Sequence, residues 1–305
     1  PEGIALRLLP PMIYGKAYPY GVPYSGVGDP AAVQALTPEQ IKAFHDKWLR
    51  PEDARIFVVG DTSMAQILPL LEKSFGNWSV SGAAPAKNFD APIPPQQGRV
   101  VVIDRPNAPQ SLILAAQVLP QVGSDDLNAL LQANDILGGT EILSRLDHDM
   151  RETRHWAYDV QSVLMRPKYR IPFLLYAPVQ TDETGPAISG MIGDMKTFLD
   201  DKGVTQAEFD RTIEGAIRVL PAEFATGDGV LAGMMHNSLW NRPDDYYNTL
   251  ADRYRALTPA ELDAAARKSI DPSKLTWLVV GDRSKIDAQL KALGMPIEYA
   301  GGKSQ

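Results

Sequence analysis

His148 and His155, set among Asp147, Asp149 and Glu152, are the side chains whose types could hold a metal ion. On a helix, ligands that share an ion fall at i, i+3 or i+4, because that spacing puts them on one face. Here the gap is seven residues. That is two turns, or about 10 Å along the axis, so the two imidazoles reach one ion only if the helix breaks. The cluster therefore reads as a charged, solvated helix face. In the same stretch, "RETRHWAYDV", Arg151 and Tyr158 also stand seven apart. Taken alone, they read as a surface ion-pair partner and a strand tyrosine.

The other candidates are weaker. His45 lies between core positions of a capped helix, and His236 sits in "MMHNSLW"; each is a lone histidine, read as a hydrogen-bonded structural residue. Gly138-Gly139 lacks the Gly-Lys-Ser/Thr ending of a phosphate loop and reads as a helix-stopping turn. The methionines and aromatics over 234–247 read as core rather than as a ligand pocket. With no cysteine, a disulfide framework and thiol catalysis are excluded. A net charge of −7 and a pI near 5.2 argue against a nucleic-acid surface, which needs clustered Lys and Arg. No apolar run approaches the roughly 18–20 residues that span a bilayer. The opening "PEGIALRLLP" has no basic region followed by an apolar core, so no signal peptide is expected there. These features imply a soluble protein of either cytoplasm or periplasm, with an alanine-rich composition that looks bacterial.

The elements that would position these residues are set by a repeat. Residues 35–61, "ALTPEQIKAFHDKWLRPEDARIFVVGD", and 256–282, "ALTPAELDAAARKSIDPSKLTWLVVGD", align over 27 residues without a gap and agree at 11. In each copy a threonine caps a helix, proline takes the first helical position, and Gln40 or Glu261 completes a capping box. Ile41, Phe44 and Trp48 recur at helical spacing and should face a core. "RIFVVGD" and "LTWLVVGD" should be strands ending in a Gly-Asp turn. Between the copies, residues 79–98 carry four prolines and two glycines and read as an inter-domain linker. Residues 1–78 are then the C-terminal part of a first domain, and 99–305 a complete second domain. The 221-residue offset predicts that about 120 residues of the first domain precede Pro1.

In the second domain, "RVVVID", 111–119, "AYDVQSVLM" and "YRIPFLLYAPV" read as strands, and "DDLNALLQANDIL" as a helix. A further helix is expected from Ile142 to Glu152, with Leu143 and Leu146 or Met150 inward. Helices over about 184–202, 205–219, 228–240 and 244–255 complete an α+β domain, with helices on one face of a largely antiparallel sheet.

"ILGGTEILSRLDHDMRETRHWAYDV" resembles the second-domain signature of the pitrilysin/insulinase-type zinc peptidases, the inverzincins. The matching residues are Gly138-Gly139, Ser144-Arg145-Leu146, Arg151 and Tyr158. "YPYGVPYSG" at 18–26, the first repeat copy and "NAPQSLILAAQVLP" resemble the family in the same order. The resemblance implies duplicated α+β domains and an active site built across two halves around a closed chamber. One half supplies zinc, held by a His-x-x-Glu-His helix and a later glutamate, and the other supplies the arginine and tyrosine. None of the four histidines here forms that motif, so zinc is expected in the complete enzyme and not in this chain, which alone should be inactive. The implied partners are a peptide substrate and a zinc-bearing domain or subunit. Arg151 would hold substrate carbonyls in register, and Tyr158 would donate to the tetrahedral intermediate. The alternative is a non-catalytic homologue serving as a structural or partner subunit.

Overall fold

Among the described residues, four α-helices occupy the first 78: α1 (Glu2–Tyr14), α2 (Pro30–Gln34), α3 (Pro38–Trp48) and α4 (Met64–Phe75). The computed structural model describes residues 1–24, 26, 28–140, 143–200 and 202–300. Ser25 of the 18–26 stretch and Ile142, the expected start of a helix, lie outside the described residues.

The apolar, β-branched runs after residue 98 become a six-stranded sheet. Its strands are β1 (Arg99–Asp104), β2 (Gln110–Val122), β3 (Gln161–Leu164), β4 (Arg170–Gln180), β5 (Thr276–Gly281) and β6 (Ile297–Tyr299). The order is β3-β4-β2-β5-β1-β6; the first three pairings are antiparallel and the last two parallel. All six residues of β5 are buried, as expected of a strand covered on both faces.

Among the described residues, eight further α-helices are α5 (Asn128–Asn134), α6 (Arg145–Asp147), α7 (Thr184–Leu199), α8 (Gln206–Glu223), α9 (Gly227–Leu239), α10 (Tyr246–Arg255), α11 (Pro259–Ser269) and α12 (Arg283–Lys291). The expected α+β architecture holds. One face of the sheet, with Ile113, Phe173, Leu175, Trp277 and Val279, is buried under Leu130, Ile188, Met191, Met195, Leu262 and Leu290 from α5, α7, α11 and α12. The other face, with Val101, Leu112, Leu114, Leu278 and Val280, is covered by Ala5, Leu9, Ile13 and Tyr14 of α1. Each such large apolar side chain contributes roughly 1.5–3 kcal/mol on burial.

Residues 79–98 contain no helix or strand, in keeping with their prolines, yet they are strapped to the sheet. Phe89 stacks on Tyr169 at 3.7 Å, and the Gln96 amide donates to Ile13 O at 2.9 Å.

The two repeat copies diverge. Both helices are capped as expected, with Thr37–Gln40 and Thr258–Glu261 boxes complete. In the second copy Leu262 and Ala266 are buried and the following run forms β5. In the first copy Ile41 and Phe44 are 58% and 61% exposed rather than facing a core, and residues 55–60 form no strand. A cap is satisfied within four residues, whereas a strand and a buried face need partners from elsewhere. Among the described residues, none supplies them to the first copy.

Candidate functional site

The Arg/Tyr stretch is positioned by two irregular helical turns. α5 continues into a π-helical turn, Asp135–Gly139, that ends at the paired glycines. A Cβ on Gly138 would stand 2.6 Å from Ser162 Oγ and 3.0 Å from Leu146 Cδ1, so glycine lets this turn approach β3. Ser162 Oγ donates to Asn134 Oδ1 at 2.8 Å, and the Asn134 amide donates to Ser162 O at 3.1 Å. α6 then runs into a second π-helical turn, His148–Thr153, which contains Arg151. Leu146 and Met150 point into the core as expected; Leu143 is exposed, because it precedes the helical run that starts at Arg145. The Arg145 guanidinium is tied to both Glu208 oxygens at 2.8 Å and to Gly203 O at 2.8 Å. Buried Asp147 accepts from Val160 N at 2.9 Å, closing the loop that carries Tyr158.

That loop folds back on the end of β4. Ala157 bridges Val179, and Gln180 N donates to Trp156 O at 3.0 Å. The strand expected from Ala157 starts only at Gln161, so Tyr158 stands outside the sheet and is 76% exposed. The Arg151 guanidinium lies 4.7 Å from the Tyr158 ring centroid, and its Nε is 3.3 Å from Glu152 Oε1. The two residues thus meet, one on a π-helical turn and one on a pinned loop.

The helix does break between the two histidines: His155 has a left-handed φ of 58°. The break does not make a metal site. His155 Nδ1 lies 2.9 Å from Arg151 O. Among the described residues no three His, Asp or Glu side chains converge where an ion would sit. Among the described residues, the donor set around His148 and His155 therefore does not fit a zinc ion.

One feature gave no signal in the sequence, and two others differ from what it implied. Asp194 on α7 lies against Asp149; burial first, and then the Asp149 charge and hydrogen bond, push its carboxyl up to about 7, against the pull of Arg154. His45 is exposed on α3, with Nδ1 3.1 Å from Asp46. The 234–247 stretch is only partly core: Met234 and Met235 are exposed, while Trp240 and Tyr246 are buried and line a cavity with Arg166 and Arg242. Arginines more than 70 positions apart give no local signal in a sequence.

Comparison with known proteins bears on the family and the fold. Residues 35–216 match the family described as the peptidase M16 inactive domain. An uncharacterized zinc protease of Mycobacterium leprae (strain TN) is 25% identical over 225 residues, which cover 73% of this chain and 47% of that protein. The chain thus spans about half the length of this relative. A solved peptidase M16 inactive domain from Pseudomonas fluorescens superposes with a TM-score of 0.79 at 23% identity, covering 91% of this chain and 64% of that one. A chain of complex III2 from Candida albicans shares the fold at a TM-score of 0.74 and 13% identity, covering 95% and 70%. With more than half of its length matched by one family, and with that family's fold in three dimensions, the chain belongs to the peptidase M16 inactive-domain family.

Proposed function

We propose that this chain is the substrate-binding portion of a zinc-dependent endopeptidase, whose zinc is carried by another domain or subunit. The carrying observation is the Arg151–Tyr158 contact, 4.7 Å from guanidinium to ring, with the tyrosine largely in solvent. Tyrosine joins an apolar ring to a polar hydroxyl, so an exposed Tyr158 presents a hydrogen-bond donor to whatever binds beside Arg151. π-helical turns such as that carrying Arg151 are also frequent at functional sites. In this reading the Arg151 guanidinium holds peptide carbonyl oxygens, and the Tyr158 hydroxyl donates to the oxyanion that forms when the scissile carbonyl becomes tetrahedral. The anchors on Arg145 and Asp147 keep both donors in place before substrate arrives, which is where such stabilisation gains its strength. Residues 1–78 would belong to a first domain of the same type, whose remaining elements cover the apolar side of α3.

The test is peptide cleavage by the intact assembly. Tyr158→Phe should lower kcat by about 10²–10³ while leaving thermal unfolding unchanged. Unaltered turnover would sink the assignment. A second reading, a non-catalytic structural or partner subunit, draws on the shared fold with a chain of complex III2. It predicts no chelator-sensitive cleavage in the intact assembly, and normal assembly by Tyr158→Phe.

A further inference from the structure

A cavity of about 330 Å³ opens between α5, α8, α9 and α10, at the end of β3 remote from Tyr158. It is organised around Trp240. The Arg166 guanidinium lies 4.1 Å from the indole centroid, the Arg242 guanidinium 4.6 Å, and the His236 ring stacks on it at 4.6 Å. Arg242 also lies 3.9 Å from the Tyr246 ring. The indole N–H donates to Arg166 O at 3.1 Å, which fixes the β3–β4 connection to α9.

What this cluster lacks is a counter-charge. Neither arginine forms an ion pair among the described residues. Arg166 Nε is buried without a hydrogen-bond partner, and its Nη2 reaches only Gly123 O, at 3.4 Å. Burial, and next the charge of Arg242, lower the Arg166 guanidinium to about 10. Two carboxylates, Asp135 and Glu223, also line the cavity, but among the described residues neither forms an ion pair with Arg166 or Arg242. Two half-buried guanidiniums that repel each other are costly unless an anion joins them. Their planar donor forks match carboxylate and phosphate oxygens. The volume lies at the lower end of the range for small-molecule sites.

We propose that this cavity binds a small oxyanion, a phosphate or a carboxylate, between Arg166 and Arg242, whose guanidiniums the Trp240 ring holds side by side. The site is independent of the Arg151–Tyr158 reading and survives its failure.

The experiment is calorimetric titration of the full chain with inorganic phosphate, and separately with an N-acetylated dipeptide and its C-terminal amide, at matched ionic strength. Thermal unfolding is recorded in parallel. One saturable site is expected for phosphate or for the dipeptide acid, and the Tm should rise by about 2–4 °C at tenfold excess over Kd. Binding by phosphate alone identifies a phosphate ligand, and binding by the acid but not the amide identifies a peptide carboxylate. Arg242→Gln should weaken binding at least tenfold; Arg166→Gln should do the same if it folds. Phosphate also stabilises proteins without binding a site, so an equal Tm rise in wild type and Arg242→Gln overturns the proposal. So does equal binding of acid and amide, or no saturable heat with any of the three probes.

Discussion

Arg145 and Glu208 meet through two parallel contacts of 2.8 Å, Nε to Oε1 and Nη2 to Oε2, and so bolt the turn that carries Arg151 to the start of α8. Burial pushes the Glu208 carboxyl up, but the hydrogen bonds from Arg145 and Thr205 outweigh it and hold the group at about 2. A carboxyl held below its unfolded value contributes stability that is full above about pH 5 and is lost as pH falls through the folded value. Glu208→Gln keeps the capping box but removes the charge. It should cost about 1–2 kcal/mol at pH 7, with the difference from wild type vanishing toward pH 2, as read by urea unfolding across pH.

Asp194 has the opposite sign. Its carboxyl is raised from an ordinary 3.8 to about 7, so the folded state binds a proton that the unfolded state has released. Stability should fall as pH rises from about 4 to about 7, then level off. Asp194→Asn should be neutral near pH 4 and raise the Tm by about 2–4 °C above pH 7. A variant equally stabilised at both pH values would show that the carboxyl does not titrate there.

Gly138→Ala places a methyl 2.6 Å from Ser162 Oγ. Overpacking of this kind costs about 1–3 kcal/mol. Because the strain falls between the glycine turn and β3, tryptic nicking near Arg151 should become faster as the midpoint drops.

The two faces of the N-terminal helices give a contrast. Leu9→Ala removes a fully buried side chain of α1 and should cost about 2–5 kcal/mol. Phe44→Ala, at a 61% exposed position of α3, should change stability by less than about 0.5 kcal/mol. Denaturation midpoints of the two variants check both.

What the sequence made legible follows from how local each signal is. The boxes at Thr37, Thr205 and Thr258 close within their own first turn and were readable. The runs that became β1, β2 and β4 carried their own apolar pattern. Residues 55–60 carried the same pattern and stayed unpaired, because pattern states a preference and pairing needs a neighbour. Arg151 and Tyr158 were singled out through a resemblance, but their contact depends on the break at His155 and the Ala157–Val179 bridge, neither of which has a spacing rule. The Trp240 cavity was hidden for a related reason. Arg166 reaches it from between two strands, and Arg242 from a turn after α9, so only the folded chain brings them together.

α1 lies on the far side of the sheet, joined to it through the strap at 79–98, which has no helix or strand, with Leu9 and Ile13 fully buried there. Covalent continuity is therefore not what keeps the N-terminal helix in place. A single cut in the strap would leave two polypeptides that migrate as one particle in gel filtration and separate only in denaturant. Expressed without α1, the sheet would present a bare apolar face. Supplying the missing helix as a separate peptide should restore it, so the molecule is built to tolerate being in two pieces but not to lose one of them.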